Sequence, residues 1–203
     1  MITSDHASSL CPWRFSTQMT QKQEITPLAS LRRPLVLVGL MGAGKSKIGR
    51  QISTDFEIPF IDTDDEIEKV AGMSIAAIFD LYGEDKFRAI EAREIKRLLE
   101  GKPAVISTGG GAYMQQETRQ IINQLGLSVW LKAAPETLAG RISNTDSRPL
   151  LKGKDPVKVL QELAKQRYPI YQNAELVIDT DGLSLTKAIE KVKTTITSYL
   201  NTL

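Results

Sequence analysis

The sequence is poor in cysteine and histidine, each of which occurs once among 203 residues, as Cys11 and His6. A single cysteine cannot form an internal disulfide, which fits a reducing compartment, and we expect a cytoplasmic protein. A Ser-His-Asp triad, a cysteine-based zinc site and a His-rich metal site are excluded from the body of the chain. Any chemistry there has to use carboxylates, lysines, arginines, hydroxyls and backbone groups.

Long apolar runs and a large excess of charge are lacking as well. Runs such as Pro34–Val38 are far too short to span a bilayer, so we expect no transmembrane helix and no membrane partner. The formal net charge is +2, and a nearly neutral body lacks the basic surface with which proteins bind nucleic acid. The fractions of 41% hydrophobic and 25% charged residues are typical of one globular domain. We expect this domain to be a monomer.

The first 33 residues differ from the rest of the chain. They are rich in Ser, Thr and Gln, show no helical or strand period, and end at the basic pair Arg32-Arg33. They also lack the apolar segment of a secretory signal. We therefore predict a flexible N-terminal extension over 1–33 and a folded domain over 34–203. Met19 is an alternative candidate start, and the sequence leaves that choice open.

Short apolar runs alternate with amphipathic segments of helical length in the remainder. The strand candidates are 35–38, 59–62, 104–107, 127–131 and 176–179. The helix candidates are 44–55, 64–71, 74–82, 84–100, 115–125, 135–143, 156–172 and 184–200. Strict alternation requires crossover connections, so the pattern predicts an α/β fold with a mostly parallel sheet between helical layers. The segment 143–156 has no apolar period and predicts a mobile lid.

The segment Gly39–Ser46 reads GLMGAGKS and matches the phosphate-loop pattern G-x-x-x-x-G-K-[S/T] between the first strand and the first helix. Its glycines allow the backbone N–H groups to surround a phosphate at the positive end of a helix. Lys45 is expected to reach the β- and γ-phosphates, and Ser46 to give an oxygen to Mg²⁺. The alternative is a glycine-rich turn with an incidental Lys-Ser pair, which the strand–loop–helix context disfavours.

Two carboxylates follow the second strand, where a parallel sheet places its ligands. Asp62 ends the strand and is the candidate metal partner, either directly or through water. Asp64 would project toward a second ligand beside the γ-phosphate. The alternative is that Asp64 only caps the next helix.

Arg88 continues the apolar face that Ile95 and Leu98 form on the same helix, so it requires a partner. Glu91, one turn later, can orient the guanidinium and leave its free edge to bind a carboxylate in a bidentate manner. The alternative is an ordinary Arg88–Glu91 surface pair, which contributes little.

Three consecutive glycines, Gly109, Gly110 and Gly111, follow the third strand. One glycine would satisfy a turn, whereas three allow a ligand to lie directly against the backbone. Two further arginines are candidates for anion contacts. Arg148 falls in the lid segment and could bring its charge to the γ-phosphate, and Arg167 occupies a helix position where a core residue is expected.

Taken together, these motifs resemble the shikimate kinase family of small P-loop kinases over about residues 35–189. The segments that carry the resemblance are, in chain order, Gly39–Ser46, Asp62-Thr63-Asp64, Phe87-Arg88-x-x-Glu91, Gly109-Gly110-Gly111, Arg148-Pro149-Leu150-Leu151 and Arg167-x-Pro169-Ile170-Tyr171. The resemblance implies a three-layer α/β/α P-loop kinase fold whose five-stranded parallel sheet has the order 2-3-1-4-5. It also implies transfer of the γ-phosphate of ATP to the 3-hydroxyl of shikimate, with Mg²⁺ as the cofactor.

The resemblance further implies roles for individual residues. Catalysis would involve Asp64, Lys45 and Arg148. The residues expected to bind shikimate are Asp64, Arg88, Gly109, Gly110, Gly111 and Arg167. Those expected to bind the nucleotide are Gly42, Ala43, Gly44, Lys45, Ser46, Lys47, Arg141 and Arg148, with Arg141 covering the adenine. Metal binding is expected at Ser46 and Asp62.

Two features depart from the family pattern. Lys47 stands where the family usually has Thr, so a hydroxyl on the phosphate side is missing. The residues before Pro34 are not explained by the family.

Two rival functions remain at this point. One is another small-metabolite or nucleotide kinase of the same fold, although two arginines with a carboxylate suit a small hydroxy acid better than a nucleoside monophosphate. The other is a non-catalytic P-loop domain that senses nucleotide or shikimate. The joint presence of Lys45, Ser46, Asp62 and Asp64 disfavours such a sensor.

Overall fold

The computed structural model of the protein describes residues 31–142, 150–151 and 153–202, and this part of the chain has the predicted alternation of strands and helices. The strands are β1 (Leu35–Val38), β2 (Phe60–Asp62), β3 (Val105–Ser107), β4 (Leu127–Lys132) and β5 (Leu176–Asp179). The helices are α1 (Lys45–Asp55), α2 (Thr63–Ala71), α3 (Ile75–Leu99), α4 (Gln116–Leu125), α5 (Pro135–Arg141), α6 (Pro156–Tyr171) and α7 (Leu185–Leu200). A short 3₁₀ helix, Ala112–Met114, was not predicted.

The two helices expected over 74–82 and 84–100 are confirmed as two helical segments within α3, which meet at a kink. Gly83, with φ 78° and ψ 174°, interrupts the helical backbone at the predicted junction. The kink has a local cause, because glycine carries no Cβ to oppose a positive φ.

The strands form one parallel sheet in the order β2-β3-β1-β4-β5, which confirms the expected topology. Leu37 of β1 pairs with Ser107 of β3 and Val129 of β4, so β1 lies at the centre of the sheet. All four residues of β1 are fully buried, as expected for a parallel strand with helices on both faces.

The sheet order places the ends of three strands side by side. After β1 the chain crosses to β2 at one edge of the sheet, and after β3 it crosses in the opposite direction to β4. Because the connections that leave the neighbouring strands β1 and β3 diverge, a crevice opens at their carboxyl ends. Asp62 at the end of β2 is in register with Ser107 at the end of β3. The segments that follow these strands therefore meet at one edge.

A small apolar cluster packs α2 against α3, the two helices that follow β2. Ile67, Ile78 and Phe87 are buried there, and the ring of Phe79 lies 4.6 Å from that of Phe87. The guanidinium of its neighbour Arg88 lies 5.1 Å from the Phe87 ring, at the border between this cluster and the crevice.

The folded body begins before Pro34. Leu31 is only 2% exposed and belongs to the main core, and Arg33 donates to the Gly126 carbonyl at 3.1 Å and pairs with Glu175. Residues 31–33, which the sequence pattern assigns to the extension, are therefore part of the domain, held by one apolar side chain and one ion pair. The expectations for residues 1–30, Met19 among them, and for most of the lid, with Arg148, fall outside the described residues. Among the described residues, no helix combines the length and hydropathy of a membrane span.

Candidate active site

A cavity of about 800 Å³ opens at the carboxyl edge of the sheet. It gathers every predicted site residue in the part of the chain that the structure describes: Gly42, Ala43, Gly44, Lys45, Ser46, Lys47, Asp62, Asp64, Arg88, Gly109, Gly110, Gly111, Arg141 and Arg167. The predicted nucleotide and acceptor residues thus share one cavity. Only the predicted Arg148 lies outside the described residues.

The phosphate loop wraps tightly around the start of α1. Gly42 has φ +81°, and a Cβ there would stand 2.6 Å from the Leu138 carbonyl, so no other residue fits without a shift of backbone. The first turn of α1 contains no acidic side chain, which leaves the positive end of the helix free to attract an anion. The Lys45 ammonium donates to the carbonyls of Gly39 at 2.9 Å and Leu40 at 3.1 Å, at the inner surface of the loop.

Ser46 and Asp62 lie together at the base of the phosphate loop. The Ser46 hydroxyl donates to Asp62 Oδ2 at 2.9 Å, and Asp62 Oδ1 accepts the Asp64 backbone N–H at 3.2 Å. Asp62 is therefore the cap of α2, and the alternative in which Asp64 caps the helix is wrong. The Asp64 carboxylate is free for another role.

Asp64 faces the glycine turn after β3 from the first turn of α2. Its Oδ1 lies 3.1 Å from the position that a Cβ on Gly109 would occupy. Burial raises the pKa of this carboxyl above its usual range, the nearby charge of Asp62 raises it further, and Lys45 opposes both effects. Burial thus disfavours the ionised form of Asp64, and the Lys45 charge offsets this only in part.

Arg88 and Glu91 form a buried pair. Arg88 Nη1 donates to Glu91 Oε2 at 2.6 Å, and Nη2 donates to Glu84 at 3.1 Å. Because Glu91 is 2% exposed, the surface-pair alternative is wrong. The second oxygen, Glu91 Oε1, is buried without a hydrogen-bond partner and lies 3.0 Å from the same Gly109 Cβ position, beside Asp64. Burial also raises the pKa of Glu91, although Arg88 counteracts the shift.

The glycine turn lies between the two predicted arginines. A Cβ on Gly111 would stand 2.5 Å from Arg88 Nη2, so the guanidinium can rest on the backbone only because Gly111 has no side chain. On the other side, Arg167 Nη1 donates to the Gly110 carbonyl at 2.9 Å. Among the described residues, the N–H groups of Gly110 and Gly111 have no acceptor, so they are available to a ligand.

Arg141 also lines the cavity, beside Leu183. Its Nη2 donates to the carbonyls of Thr180 at 2.7 Å and Leu183 at 3.3 Å, which fixes the guanidinium against the loop that precedes α7. Lys47 is exposed at the rim, one residue beyond Ser46.

Comparison of the sequence with known proteins identifies the family of the chain. The shikimate kinase family model matches residues 41–197. A shikimate kinase of Caulobacter vibrioides is 51% identical over 168 residues, which cover 82% of this chain and 84% of that protein. One of Rhizobium leguminosarum bv. trifolii is 53% identical over 146 residues, which cover 72% and 74%. The chain belongs to the shikimate kinase family.

Solved structures of shikimate kinases have the same fold. The structure of the Acinetobacter baumannii shikimate kinase in complex with shikimate covers 82% of this chain and 94% of its own, with a TM-score of 0.76 and 34% identity. The Aquifex aeolicus shikimate kinase aligns over 84% and 98%, with a TM-score of 0.71 and 31% identity. A gluconokinase from Sinorhizobium meliloti, 17% identical with a TM-score of 0.55, shares the fold alone. The predictions of a shikimate kinase resemblance, of a P-loop kinase fold and of an ATP-dependent phosphotransferase are confirmed.

Some features of this shikimate kinase site were not singled out by sequence reasoning. The cavity is also lined by Leu183, Leu185 and Ala188, which form an apolar wall beside Arg141. No motif marks them, although their position after the parallel strand β5 was a usable signal. The sequence named Glu91 as a partner of Arg88, and both Glu91 and Tyr171 as members of family motifs, but it did not predict their contacts with the glycine turn.

Proposed function

We propose that the protein transfers the γ-phosphate of ATP to the 3-hydroxyl of shikimate, giving shikimate 3-phosphate and ADP. The observation that carries the proposal is the pairing, in one cavity, of a phosphate loop with an acceptor pocket that combines two guanidinium groups, the Asp64 carboxyl and the backbone N–H groups of the glycine turn. This donor and acceptor set suits a small molecule that carries one carboxylate and several hydroxyls.

Arg88 and Arg167 lie on opposite sides of the glycine turn and are our candidates for holding the shikimate carboxylate. The Arg88 guanidinium is already oriented by Glu91, so little of its orientational freedom would be lost on binding. Arg167 lies at the Gly110 carbonyl in the ligand-free site and would turn from it to the carboxylate. The N–H groups of Gly110 and Gly111 would add contacts from the backbone.

Asp64 is our candidate for the group that orients the attacking hydroxyl. Its carboxylate lies between the glycine turn and Lys45, which is where an acceptor hydroxyl would meet the γ-phosphate. In a loose phosphoryl-transfer transition state the nucleophile keeps its proton until late, so orientation is the larger part of this role. Asp64 then accepts the proton from the hydroxyl oxygen.

On the donor side, the phosphate loop over Gly42–Lys47 and the helix end would hold the phosphates. Lys45 would exchange its carbonyl contacts for phosphate oxygens and balance charge there. We further propose that the adenine lies between Arg141 and the apolar wall of Leu183, Leu185 and Ala188. Arg148, on the sequence evidence alone, would add a positive charge at the γ-phosphate.

Residues that fit a Mg²⁺ ion are present beside the loop. The hydroxyl of Ser46 and the carboxylate of Asp62 are 2.9 Å apart, and both are hard oxygen donors that line the cavity. Mg²⁺ retains waters and takes one or two protein oxygens together with phosphate oxygens, so it does not need a dedicated cage. Ser46 and Asp62 would hold the ion, which would neutralise phosphate charge.

The proposal is tested by measuring ADP formation with ATP and Mg²⁺ in three reactions: without acceptor, with shikimate, and with a nucleoside monophosphate. We expect ADP only with shikimate. A response to the nucleotide would instead favour the nucleotide-kinase alternative. Binding of shikimate without ADP formation, measured by calorimetry on the same sample, would favour the sensor alternative.

A further inference from the structure

The Gly110 carbonyl accepts two hydrogen bonds from the same helix. Arg167 Nη1 donates at 2.9 Å, and the hydroxyl of Tyr171, one turn later on α6, donates at 2.5 Å. Arg167 has a second task under the proposed function, because its guanidinium would bind the acceptor carboxylate. The Tyr171 hydroxyl is the donor that stays with the carbonyl when Arg167 turns to the acceptor.

Tyr171 is held rigidly enough to fix that carbonyl. It is fully buried, and its ring lies 5.7 Å from the ring of Trp130 and 6.2 Å from that of Tyr113. Burial raises the pKa of its hydroxyl, so the group keeps its proton and remains a donor at neutral pH.

The orientation of the Gly110 carbonyl also determines that of the next N–H group. The Gly110 carbonyl and the Gly111 N–H belong to one planar trans peptide and point in opposite directions. With the carbonyl directed at α6, the Gly111 N–H is directed away from α6. On the same peptide, a Cβ on Gly111 would stand 2.5 Å from Arg88 Nη2, so Gly111 lies against the Arg88 guanidinium.

We propose that Tyr171 is a positioning residue for the acceptor: its hydroxyl holds the Gly110–Gly111 peptide so that the Gly111 N–H faces the acceptor carboxylate while Arg167 binds it. In this proposal Arg167 turns its Nη1 from the Gly110 carbonyl to the carboxylate, so that Tyr171 is the side-chain donor left at that carbonyl. This inference rests on the proposed function, since it assumes that a carboxylate binds between Arg88 and Arg167.

The test is Tyr171→Phe, which keeps the ring and removes the hydroxyl, with Tyr168→Phe as the matched control. Tyr168 is on the same helix, its ring packs 4.9 Å from Trp130, and its hydroxyl donates to the Ala133 carbonyl at 2.5 Å, away from the glycine turn. We expect Tyr171→Phe to raise the KM and Kd of shikimate by about tenfold, the effect of leaving one buried acceptor unsatisfied in the complex. The KM of ATP should change by less than about twofold in both variants, and shikimate binding should be normal in Tyr168→Phe.

A second measurement uses the Arg167→Leu background. There the Gly110 carbonyl depends on Tyr171 both before and after the acceptor binds, so adding Tyr171→Phe should weaken shikimate binding far less than it does in the native chain. Calorimetric Kd values for the four proteins give this comparison without turnover.

The following results would overturn the inference. One is a native shikimate KM in a folded Tyr171→Phe variant, and another is a parallel rise of the shikimate and ATP KM values, which would indicate general loss of structure. A Tyr171→Phe chain that does not fold would assign the hydroxyl to stability and also contradict it. Failure of the proposed function is distinct, because the native chain itself would then form no ADP with shikimate.

Discussion

The two halves of the cavity, which we propose to hold the nucleotide and the acceptor, are built in different ways. The nucleotide half comes from one short segment, Gly39–Ser46, whose glycines, lysine and serine are neighbours in the sequence and need only a strand before them and a helix after them. The acceptor half combines α2, α3, the glycine turn and α6, and its contacts join residues up to 61 positions apart, as from Tyr171 to Gly110. The nucleotide half is thus specified locally and the acceptor half by tertiary packing.

The halves also differ in electrostatics. The phosphate loop presents backbone N–H groups and a lysine around an open space, whereas the acceptor half buries carboxyls beside arginines, with one Glu91 oxygen left unpartnered. Raised pKa values at Asp64 and Glu91 indicate that ionised carboxyls are destabilising here in the absence of a ligand. Burial of these two carboxyls therefore carries a desolvation cost, which Lys45 and Arg88 offset only in part.

The largest effect is expected from Asp64→Asn, which removes the carboxylate between the two halves. We expect kcat to fall by about a thousandfold or more, because orientation and proton acceptance are both lost, while ATP binding stays within about twofold of the native value. Single-turnover kinetics and calorimetric titration with ATP measure the two separately. A near-native kcat would exclude Asp64 from the mechanism.

The next largest effect tests whether substitutions in one half change the binding of only one of the two substrates. Arg88→Leu and Arg167→Leu should each raise the shikimate KM by about a hundredfold and leave the ATP KM nearly unchanged, since each removes a charge-assisted contact to a carboxylate. Lys45→Met should instead weaken ATP binding and leave the Kd of shikimate nearly native. Lysine at position 88 or 167 should restore little, because an ammonium cannot make the bidentate contact. Losses of Arg88→Leu or Arg167→Leu that fell mainly on ATP would contradict this division.

A smaller effect concerns stability and follows from the raised pKa of Asp64. An acid whose folded pKa lies above its unfolded value binds its proton more tightly in the folded state, so stability falls as pH rises from the unfolded pKa through the folded one. At pH 7 the native chain has lost this stability, and Asp64→Asn should raise Tm by a few degrees, on the order of 2–4 °C for each kcal/mol. The gain should diminish as the pH is lowered toward 4.

Asp65→Asn is the matched control for this stability change. Asp65 is an exposed carboxylate in the same first turn of α2, so its substitution tests the helix-dipole contribution alone. Thermal unfolding of the three proteins between pH 4 and pH 8 measures the difference. An equal change in Tm for both variants would show that burial of Asp64 has no effect on stability.

The smallest effect on the site is expected from truncation at a distance from both halves. Deletion of residues 1–30 should leave both KM values and Tm nearly native. Deletion of residues 1–33 should leave the KM values unchanged but lower Tm by several degrees, because it removes the buried Leu31 and the Arg33–Glu175 ion pair. Equal Tm values for the two truncated chains would show that residues 31–33 contribute nothing to stability.

What the sequence by itself determined is the local and periodic part of this protein. The alternation of apolar runs and amphipathic segments predicted strands and helices to within one or two residues, because buried parallel strands and covering helices have separate signatures. The phosphate loop could be predicted equally well, because its residues are contiguous in the sequence. The strand order came from resemblance to a family, as no local pattern encodes which strand lies beside which.

Only the tertiary structure decided how the acceptor half is assembled. It assigned the helix cap to Asp62 rather than Asp64, turned Arg88–Glu91 into a buried pair, and placed Tyr171 and Arg167 on one carbonyl of the glycine turn. These contacts depend on how α2, α3 and α6 pack around the ends of β2 and β3. Side chains with the same local pattern could equally have faced solvent, because burial and long-range partners are properties of the packed chain and not of any one segment.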